Sequence, residues 1–285
     1  MISLTFDVEK VGCVRQGLPR VLALLHEHQI SATFFVTVEA ATYDPSLLRG
    51  ISSAGHEVAS HGLEHEPLRS LDPTRLRAVV RDSKRVLEDL LGQAISGFRA
   101  PAFTANTYTY QVLSEERYAY CSVWSPRGVA PARLWMPSGE IVLVPCQAET
   151  FGPPRTMQGR TITEWLKALP DSISLLTVCL HPFRDGSRAN LPLLEQLLTT
   201  YPREAYQLQD KAWPAHDQVA SPSTWDLAEQ KMSLLWGKEP FPLFKGNRHQ
   251  AVVTLTQEWT LGSATTYAVE CVAHSMQKLL RKATC

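Results

Sequence analysis

Short apolar segments alternate with amphipathic helical segments through roughly the first 210 residues of this chain. The strand-like segments are 2–6, 32–38, 56–60, 95–98, 118–124, 140–145 and 172–180. Strands that alternate with helices in this way are usually parallel and are joined by right-handed crossovers. The pattern therefore predicts an α/β fold, built either as a sheet or as a barrel.

Several predicted helices have residues at their ends that favour a start or a stop. Asp44-Pro45 and Asp72-Pro73 each place a capping carboxylate before a proline at the first helical position. Gly55 and Gly92 stand where these two helices should stop, and the second helix, 73–91, has the clearest pattern in the chain. Further helices are predicted at 17–28, 108–117, 161–169 and 191–200.

The pattern changes after about residue 210. Residues 211–223 are rich in proline and polar side chains and are interpreted as a linker, followed by a helix at 225–236, a strand at 251–255 and a helix at 267–282. We therefore predict a main domain at 1–210 and a C-terminal extension at 211–285. The sequence assigns no role to the extension, which could pack against the main domain or mediate oligomer formation.

Composition excludes some classes of function. Lysine plus arginine equals aspartate plus glutamate at 28 each, so the chain lacks the basic surface that binds nucleic acid. There is no apolar run of about 20 residues, so no membrane span is expected. The first residues lack the features of a signal peptide, and the six cysteines form no Cys-x-x-Cys pair. We expect a cytoplasmic protein with reduced thiols.

Two histidines, His61 and His65, stand four residues apart just after the apolar segment 57–59. On a helical turn, positions i and i+4 share a face, and two imidazoles placed in that way can bind one divalent metal ion. A catalytic site usually has three protein ligands, so another ligand must come from elsewhere in the chain. Such pairs also occur by chance on exposed helix faces, so the pair alone does not establish a metal site.

Other chemically active side chains also follow the ends of predicted strands. Asp7 and Glu9 are two residues apart and point to the same face of a continuing strand, where one carboxylate could bind a metal and the other act as a base. Arg99 could pair with a carboxylate or simply cap a loop, and His181 follows the last apolar strand. In α/β barrels, the rim at the carboxyl ends of the strands is where active sites form.

Five segments in succession resemble the polysaccharide deacetylase family, the NodB homology domains of carbohydrate esterases. They are Thr5–Glu9, Ala32–Val36, Gly55–His65, Phe98–Pro101 and Leu180–Pro182, of which the third is the most specific. The resemblance implies a distorted (β/α) barrel with about seven parallel strands. It also implies removal of N-acetyl, or sometimes N-formyl or O-acetyl, groups from sugars with one divalent metal ion. Zinc is the first choice of metal, and Co²⁺, Ni²⁺ or Mn²⁺ are alternatives.

The same resemblance implies roles for individual residues. His61 and His65 would be metal ligands together with Glu9, and Asp7 would be the catalytic base, although the two carboxylates could exchange roles. Arg99 would orient the catalytic carboxylate, and His181 would be the general acid. The residues expected to contact the substrate are Pro101, Phe103 and Trp124. The expected partner is an N-acetylated sugar or a glycosylated small molecule.

Two departures from the family pattern leave other functions open. Asp7-Val8-Glu9 replaces the usual Asp-Asp, and Cys121 stands at the apparent place of an aspartate that supports the acid histidine, a role that Asp185 or Glu149 could take. One alternative is a metal-independent amidohydrolase acting on a small nitrogenous ring. The other is a carbohydrate-binding relative that has lost catalysis.

Overall fold

The computed structural model describes residues 2–124, 131–146, 148–149, 176–200 and 207–209. Within these residues, nine strands form one sheet in the order β6-β7-β5-β4-β3-β2-β1-β9-β8. The strands are β1 Ile2–Val8, β2 Thr33–Val36, β3 Glu57–Ser60, β4 Gly97–Arg99, β5 Tyr120–Trp124, β6 Ala132–Met136, β7 Gly139–Cys146, β8 Ala148–Glu149 and β9 Leu176–Leu180. Every pairing is parallel except that of β6 with β7, which confirms the α/β class.

The two sides of the sheet are connected through β7 and β8, which lie one residue apart in the chain. β7 pairs with β5, whereas β8 pairs with β9 on the other side. The Cys146 thiol at the end of β7 lies 3.7 Å from the carbonyl oxygen of Thr177 in β9. When β7 and β8 are counted as one strand, the described residues contain the expected seven parallel strands. The ladder of hydrogen bonds itself is not closed among these residues.

The helices flank the sheet much as the capping residues predict. They are α1 Leu18–Glu27, α2 Val38–Tyr43, α3 Pro45–Ser53, α4 Pro73–Leu91, α5 Thr107–Glu115, α6 Pro182–Asp185 and α7 Leu191–Thr200, with a π-helical turn at Cys13–Gly17. The carboxylates of Asp44 and Asp72 accept the N–H groups of Leu47 and Arg75, and Gly92 ends α4 with a φ of 69°. The predicted helix at 161–169, and the beginning of the predicted strand at 172–180, lie outside the described residues.

Apolar side chains pack on both faces of the sheet. The outer face packs against the helices, and the inner face encloses a smaller cluster of Phe35, Ala59, Tyr120, Val142, Val144 and Leu208. Leu208 is fully buried, and its N–H donates to the Thr33 hydroxyl at 3.0 Å. The N–H of Gln209 donates to the Glu57 carboxylate at 3.1 Å. Thr33 and Glu57 begin β2 and β3, so residues 207–209 cover the amino ends of these strands.

The opposite edge of the sheet, formed by the carboxyl ends of the parallel strands, carries the polar side chains singled out in the sequence. Asp7 lies near the end of β1, His61 directly follows β3, Arg99 ends β4 and His181 directly follows β9. None of the described helices combines the length and apolar character needed to cross a membrane. The predicted boundary near residue 210 stays a prediction, since the extension lies outside the described residues.

Candidate active site

A buried ion pair between Asp7 and Arg99 lies at the centre of this edge. The Arg99 side chain is fully buried, and its Nη1 donates to Asp7 Oδ1 at 2.6 Å. Its remaining N–H groups donate to the hydroxyls of Thr5 and Ser122 at 2.9 to 3.2 Å. Burial alone would raise the pKa of Asp7, but Arg99, His61 and His181 together outweigh burial and lower it. Asp7 is therefore held as a carboxylate in a fixed orientation.

Glu9 lies between two imidazoles. Its Oε1 is 3.1 Å from His65 Nε2 and 3.4 Å from His181 Nε2. Burial would raise the pKa of Glu9, but the two histidines outweigh burial and hold it well below the usual range. The i, i+2 spacing places Glu9 beside the histidine pair, whereas Asp7 pairs with Arg99.

The two ring nitrogens of His61 differ in their hydrogen bonding. Its Nδ1 lies 2.8 Å from the carbonyl oxygen of Arg99, so Nδ1 carries the proton and donates it. Nε2 is then the lone-pair nitrogen, and although buried it has no hydrogen-bond partner among the described residues, with Asp7 Oδ2 3.7 Å away. Burial lowers the pKa of His61 to about 4, so the ring is neutral at physiological pH. A neutral imidazole whose second nitrogen donates to a carbonyl is the usual form of a histidine that binds a metal.

The expectation that His61 and His65 share a helical turn is wrong. They lie on an irregular loop that follows β3, in which Gly62 has a φ of 81° and His65 a φ of 62°. Left-handed residues cannot continue a right-handed helix, so the loop brings the rings together by a different path. The ring centroids are nevertheless only 5.1 Å apart.

The donor atoms of Glu9, His61 and His65 all lie within 4.8 Å of one another. Two imidazole nitrogens and one carboxylate oxygen form a set that suits zinc and related divalent ions. Donor atoms of Asp7, Cys179 and His181 are equally close together. In that second group, however, the Arg99 guanidinium occupies Asp7, and its positive charge opposes a cation. The first group therefore fits a metal ion, and the second does not.

Cys179 contacts the Asp7 carboxylate, a contact that the sequence does not predict. Its thiol donates to Asp7 Oδ2 at 3.3 Å, on the side away from Arg99. The alternation of side chains in β9 could have predicted this contact. Cys179 lies two residues before His181 and therefore points to the same face of the strand. Thr5 likewise lies two residues before Asp7 on the same face of β1, and its hydroxyl accepts a hydrogen bond from Arg99.

Aromatic side chains lie beside Arg99. The rings of Phe103 and Trp124 are 5.8 Å apart in an edge-to-face arrangement, and the Arg99 guanidinium lies 5.2 Å from the Phe103 ring. Pro101 is buried, and its Cγ lies 3.6 Å from the position that a Cβ on Gly62 would take. All three residues expected to contact substrate are thus placed around the arginine or the histidine loop.

Three residues are considered as the partner that would support the ring of His181, namely Cys121, Asp185 and Glu149, and Cys121 and Asp185 lie in different environments. Cys121 belongs to the outer core, and burial raises its pKa to about 12, while its neighbour Ser122 contacts Arg99. The carboxylate of Asp185 accepts the backbone N–H of His181 at 2.6 Å and so fixes the backbone of this residue. The side chain of Glu149 lies outside the described residues.

Sequence comparison finds a match to a known family in the first part of the chain. Residues 1–121 match the family described as polysaccharide deacetylase. A peptidoglycan deacetylase of Helicobacter pylori is 29% identical over 104 residues, which is 36% of this chain and 36% of the relative. A chitooligosaccharide deacetylase of Bradyrhizobium is 34% identical over 84 residues, 29% of this chain and 38% of the relative. The matched part spans little more than a third of each of these relatives.

Structural comparison supports the fold. A putative polysaccharide deacetylase from Mycobacterium smegmatis aligns with a TM-score of 0.62 and 24% identity over 72% of this chain and 85% of that chain. The Puue allantoinase aligns with a TM-score of 0.64 and 18% identity over 73% of this chain and 87% of that chain. At these identities, the similarity shows a shared fold and does not distinguish between activities.

Proposed function

We propose that this chain, whose residues 1–121 match the polysaccharide deacetylase family, hydrolyses the N-acetyl group of an amino sugar with one divalent cation, zinc as first choice. Glu9, His61 and His65 would hold the cation. The observation that carries the proposal is the buried Nε2 of His61. In the part of the chain that the structure describes, this nitrogen has no hydrogen-bond partner and lies in a group of donor atoms beside a fixed carboxylate. A chain that did not bind metal would gain nothing from leaving this nitrogen unsatisfied.

Asp7 is proposed as the base. Its Oδ1 is engaged by Arg99, whereas Oδ2 accepts the weak thiol donor of Cys179 and is the oxygen directed at His61. A bound divalent cation lowers the pKa of a water molecule and polarises a carbonyl group. Asp7 Oδ2 takes the proton of the attacking water, and Arg99 keeps the carboxylate charged beforehand.

His181 is proposed as the general acid. When the carbon–nitrogen bond of the amide breaks, its ring donates a proton to the departing nitrogen, which leaves as an amine while acetate is formed. The oxyanion that precedes bond breaking needs a donor. The Phe103 N–H already donates to the Ala100 carbonyl at 2.8 Å, which leaves the Ala102 N–H as our candidate.

The proposed substrate class is supported by the names of the relatives and by the aromatic side chains near Arg99. Curated relatives that match here are named for peptidoglycan and chitooligosaccharides, both of which contain N-acetylated amino sugars. The Phe103–Trp124 pair offers an apolar surface next to Arg99 on which a small acyl group could pack. An N-acetylated hexosamine, free or within an oligosaccharide, is therefore the proposed substrate.

The test is acetate release from N-acetylated chitooligosaccharides by the purified chain, before and after treatment with a chelator. We expect acetate with metal, loss of release after chelation, and recovery when zinc is restored. A matched control is His26→Ala, which removes an exposed histidine of α1. Turnover that persists in metal-free buffer would refute the proposal and favour the metal-independent alternative, which allantoin as a second substrate tests directly. Metal binding without any turnover would favour the carbohydrate-binding alternative.

A further inference from the structure

Phe183 is an aromatic side chain left exposed beside the proposed acid. Large apolar side chains that are exposed in the described part of the chain are Tyr43, Trp135 and Phe183. Phe183 is 41% exposed, whereas His181, two residues earlier, is only 5% exposed. Their ring centroids are 5.8 Å apart and their planes meet at 67°. Single exposed apolar side chains are common on protein surfaces, so what distinguishes Phe183 is its position directly against the proposed acid.

The backbone around Phe183 is fixed by several contacts. His181 precedes α6, Pro182 occupies its first position, and the Asp185 carboxylate accepts the His181 N–H. The following residue, Gly186, approaches Gly17 so closely that a Cβ on it would lie 2.5 Å from the Gly17 carbonyl oxygen. Because α6 is held on both sides, Phe183 is presented in a defined place relative to the acid.

We propose that Phe183 stacks against the pyranose ring of the sugar that carries the scissile acetyl group. This inference rests on the proposed function, in which His181 protonates the amine nitrogen of that sugar. A ring bonded to a nitrogen in hydrogen-bond reach of His181 lies within a few ångströms of the imidazole, which is also where the Phe183 ring lies. The C–H face of a hexopyranose is apolar and matches an aromatic face, so Phe183 would favour a sugar over an acyclic amide.

The experiment compares the full-length wild type with Phe183→Leu, Phe183→Tyr and the control Trp135→Leu, which removes an exposed aromatic from β6. KM and kcat are measured for N,N′-diacetylchitobiose, and calorimetry gives Kd for chitobiose, the deacetylated product, which is not turned over. We expect Phe183→Leu to raise KM and Kd about tenfold. Phe183→Tyr should stay close to the wild type, and Trp135→Leu should change neither constant.

The outcomes separate this inference from the proposed function. If the wild type releases acetate and Phe183→Leu leaves Kd within about twofold, the stacking role is wrong and deacetylation stands. A fall in kcat with unchanged Kd would also overturn it, because Phe183 would then act only through His181. If the wild type neither releases acetate nor binds chitobiose, both the proposed function and the stacking role fail.

Discussion

The Nδ1 atom of His61 lies 2.8 Å from the carbonyl oxygen of Arg99, so the residue that fixes the proposed base also fixes a proposed metal ligand. The backbone of Arg99 sets the tautomer of His61, and its side chain holds Asp7 at 2.6 Å. His61 directly follows β3, and Arg99 ends β4, which is the neighbour of β3 in the sheet. The proposed base and the proposed metal ligand are therefore both positioned by Arg99, so loss of either contact should disturb both residues.

Replacing either proposed metal histidine should remove both the metal and the activity. We expect His61→Ala and His65→Ala to lose more than the roughly 10–100-fold that follows removal of an outer partner of a metal ligand. Bound metal is measured by mass spectrometry on dialysed protein, with acetate release measured in parallel. His26→Ala should retain both, and the metal assignment is wrong if the His61 and His65 variants retain them as well.

Replacing the base should separate chemistry from metal binding. Asp7→Asn keeps the shape of the side chain but cannot accept a proton from water, so kcat should fall by about 10²–10⁴-fold. Metal content should stay at the wild-type level, because Asp7 is not in the proposed ligand set. If Asp7→Asn instead loses its metal and keeps residual activity when metal is restored in excess, the roles of Asp7 and Glu9 are exchanged.

Removing the guanidinium of Arg99 should destabilise the fold. Arg99→Met leaves the Asp7 charge buried and unpaired, a change that typically costs about 3–5 kcal/mol in the free energy of unfolding. Urea denaturation followed by circular dichroism measures this cost. The matched test is the double variant Asp7→Asn/Arg99→Met, which should recover part of the loss. Equal stability of the single and double variants would show that the ion pair is not coupled in this way.

The stability of the metal-free protein should fall in mild acid. Burial lowers the pKa of His61 from 6.5 to about 4, so between these values the unfolded chain binds a proton that the folded chain does not. Stability then decreases as pH falls, by about 1.4 kcal/mol per pH unit for one such proton. Asp7 and Glu9 have lowered pKa values when folded, so their stabilisation is also lost as pH falls below the values of the unfolded chain.

Urea midpoints between pH 7 and pH 4 measure this effect, with His61→Asn as the control. The variant lacks the titrating ring, so its stability should depend less steeply on pH in the upper part of this range. Parallel profiles for the two proteins would show that His61 is not buried as a neutral ring.

Leu208 should matter for stability and little for catalysis. It is fully buried in the inner cluster at the amino ends of the strands, on the side opposite the proposed site. Leu208→Ala should cost about 2–5 kcal/mol by leaving a cavity, with unchanged KM. Leu22→Ala, at a half-buried position of α1, is the control and should cost less. A large change in KM would mean that the two ends of the strands are coupled.

The parts of the fold predicted well are those in which local chemistry decides the outcome. Asp72 and Gly92 mark the two ends of α4. Both signals can be predicted from the sequence, because a capping carboxylate and a left-handed glycine act over only a few residues. The parallel order follows from the alternation of strands and helices. The antiparallel β6 was missed, because its pairing with β7 depends on tertiary contacts and its pattern in the sequence is weak.

The sequence predicts which side chains of the proposed site meet at the carboxyl ends of the strands, but only part of how they are arranged there. Asp7, Arg99 and His181 follow from their positions at strand ends, which topology brings together. The positive φ of His65 could not be predicted, because it depends on how the loop packs after Gly62. The contact between Cys179 and Asp7 crosses 172 residues of sequence and becomes visible only when β9 is known to pair with β1.

The central claim is that Glu9, His61 and His65 bind one divalent cation that acetate release requires. Metal content and acetate release measured on the same dialysed sample, for the wild type and for Glu9→Gln, test it most directly. We predict about one zinc-type ion per wild-type chain with release from N,N′-diacetylchitobiose, and loss of both in Glu9→Gln. A wild-type chain that releases acetate with no bound metal, or a Glu9→Gln variant that keeps both, would contradict the account.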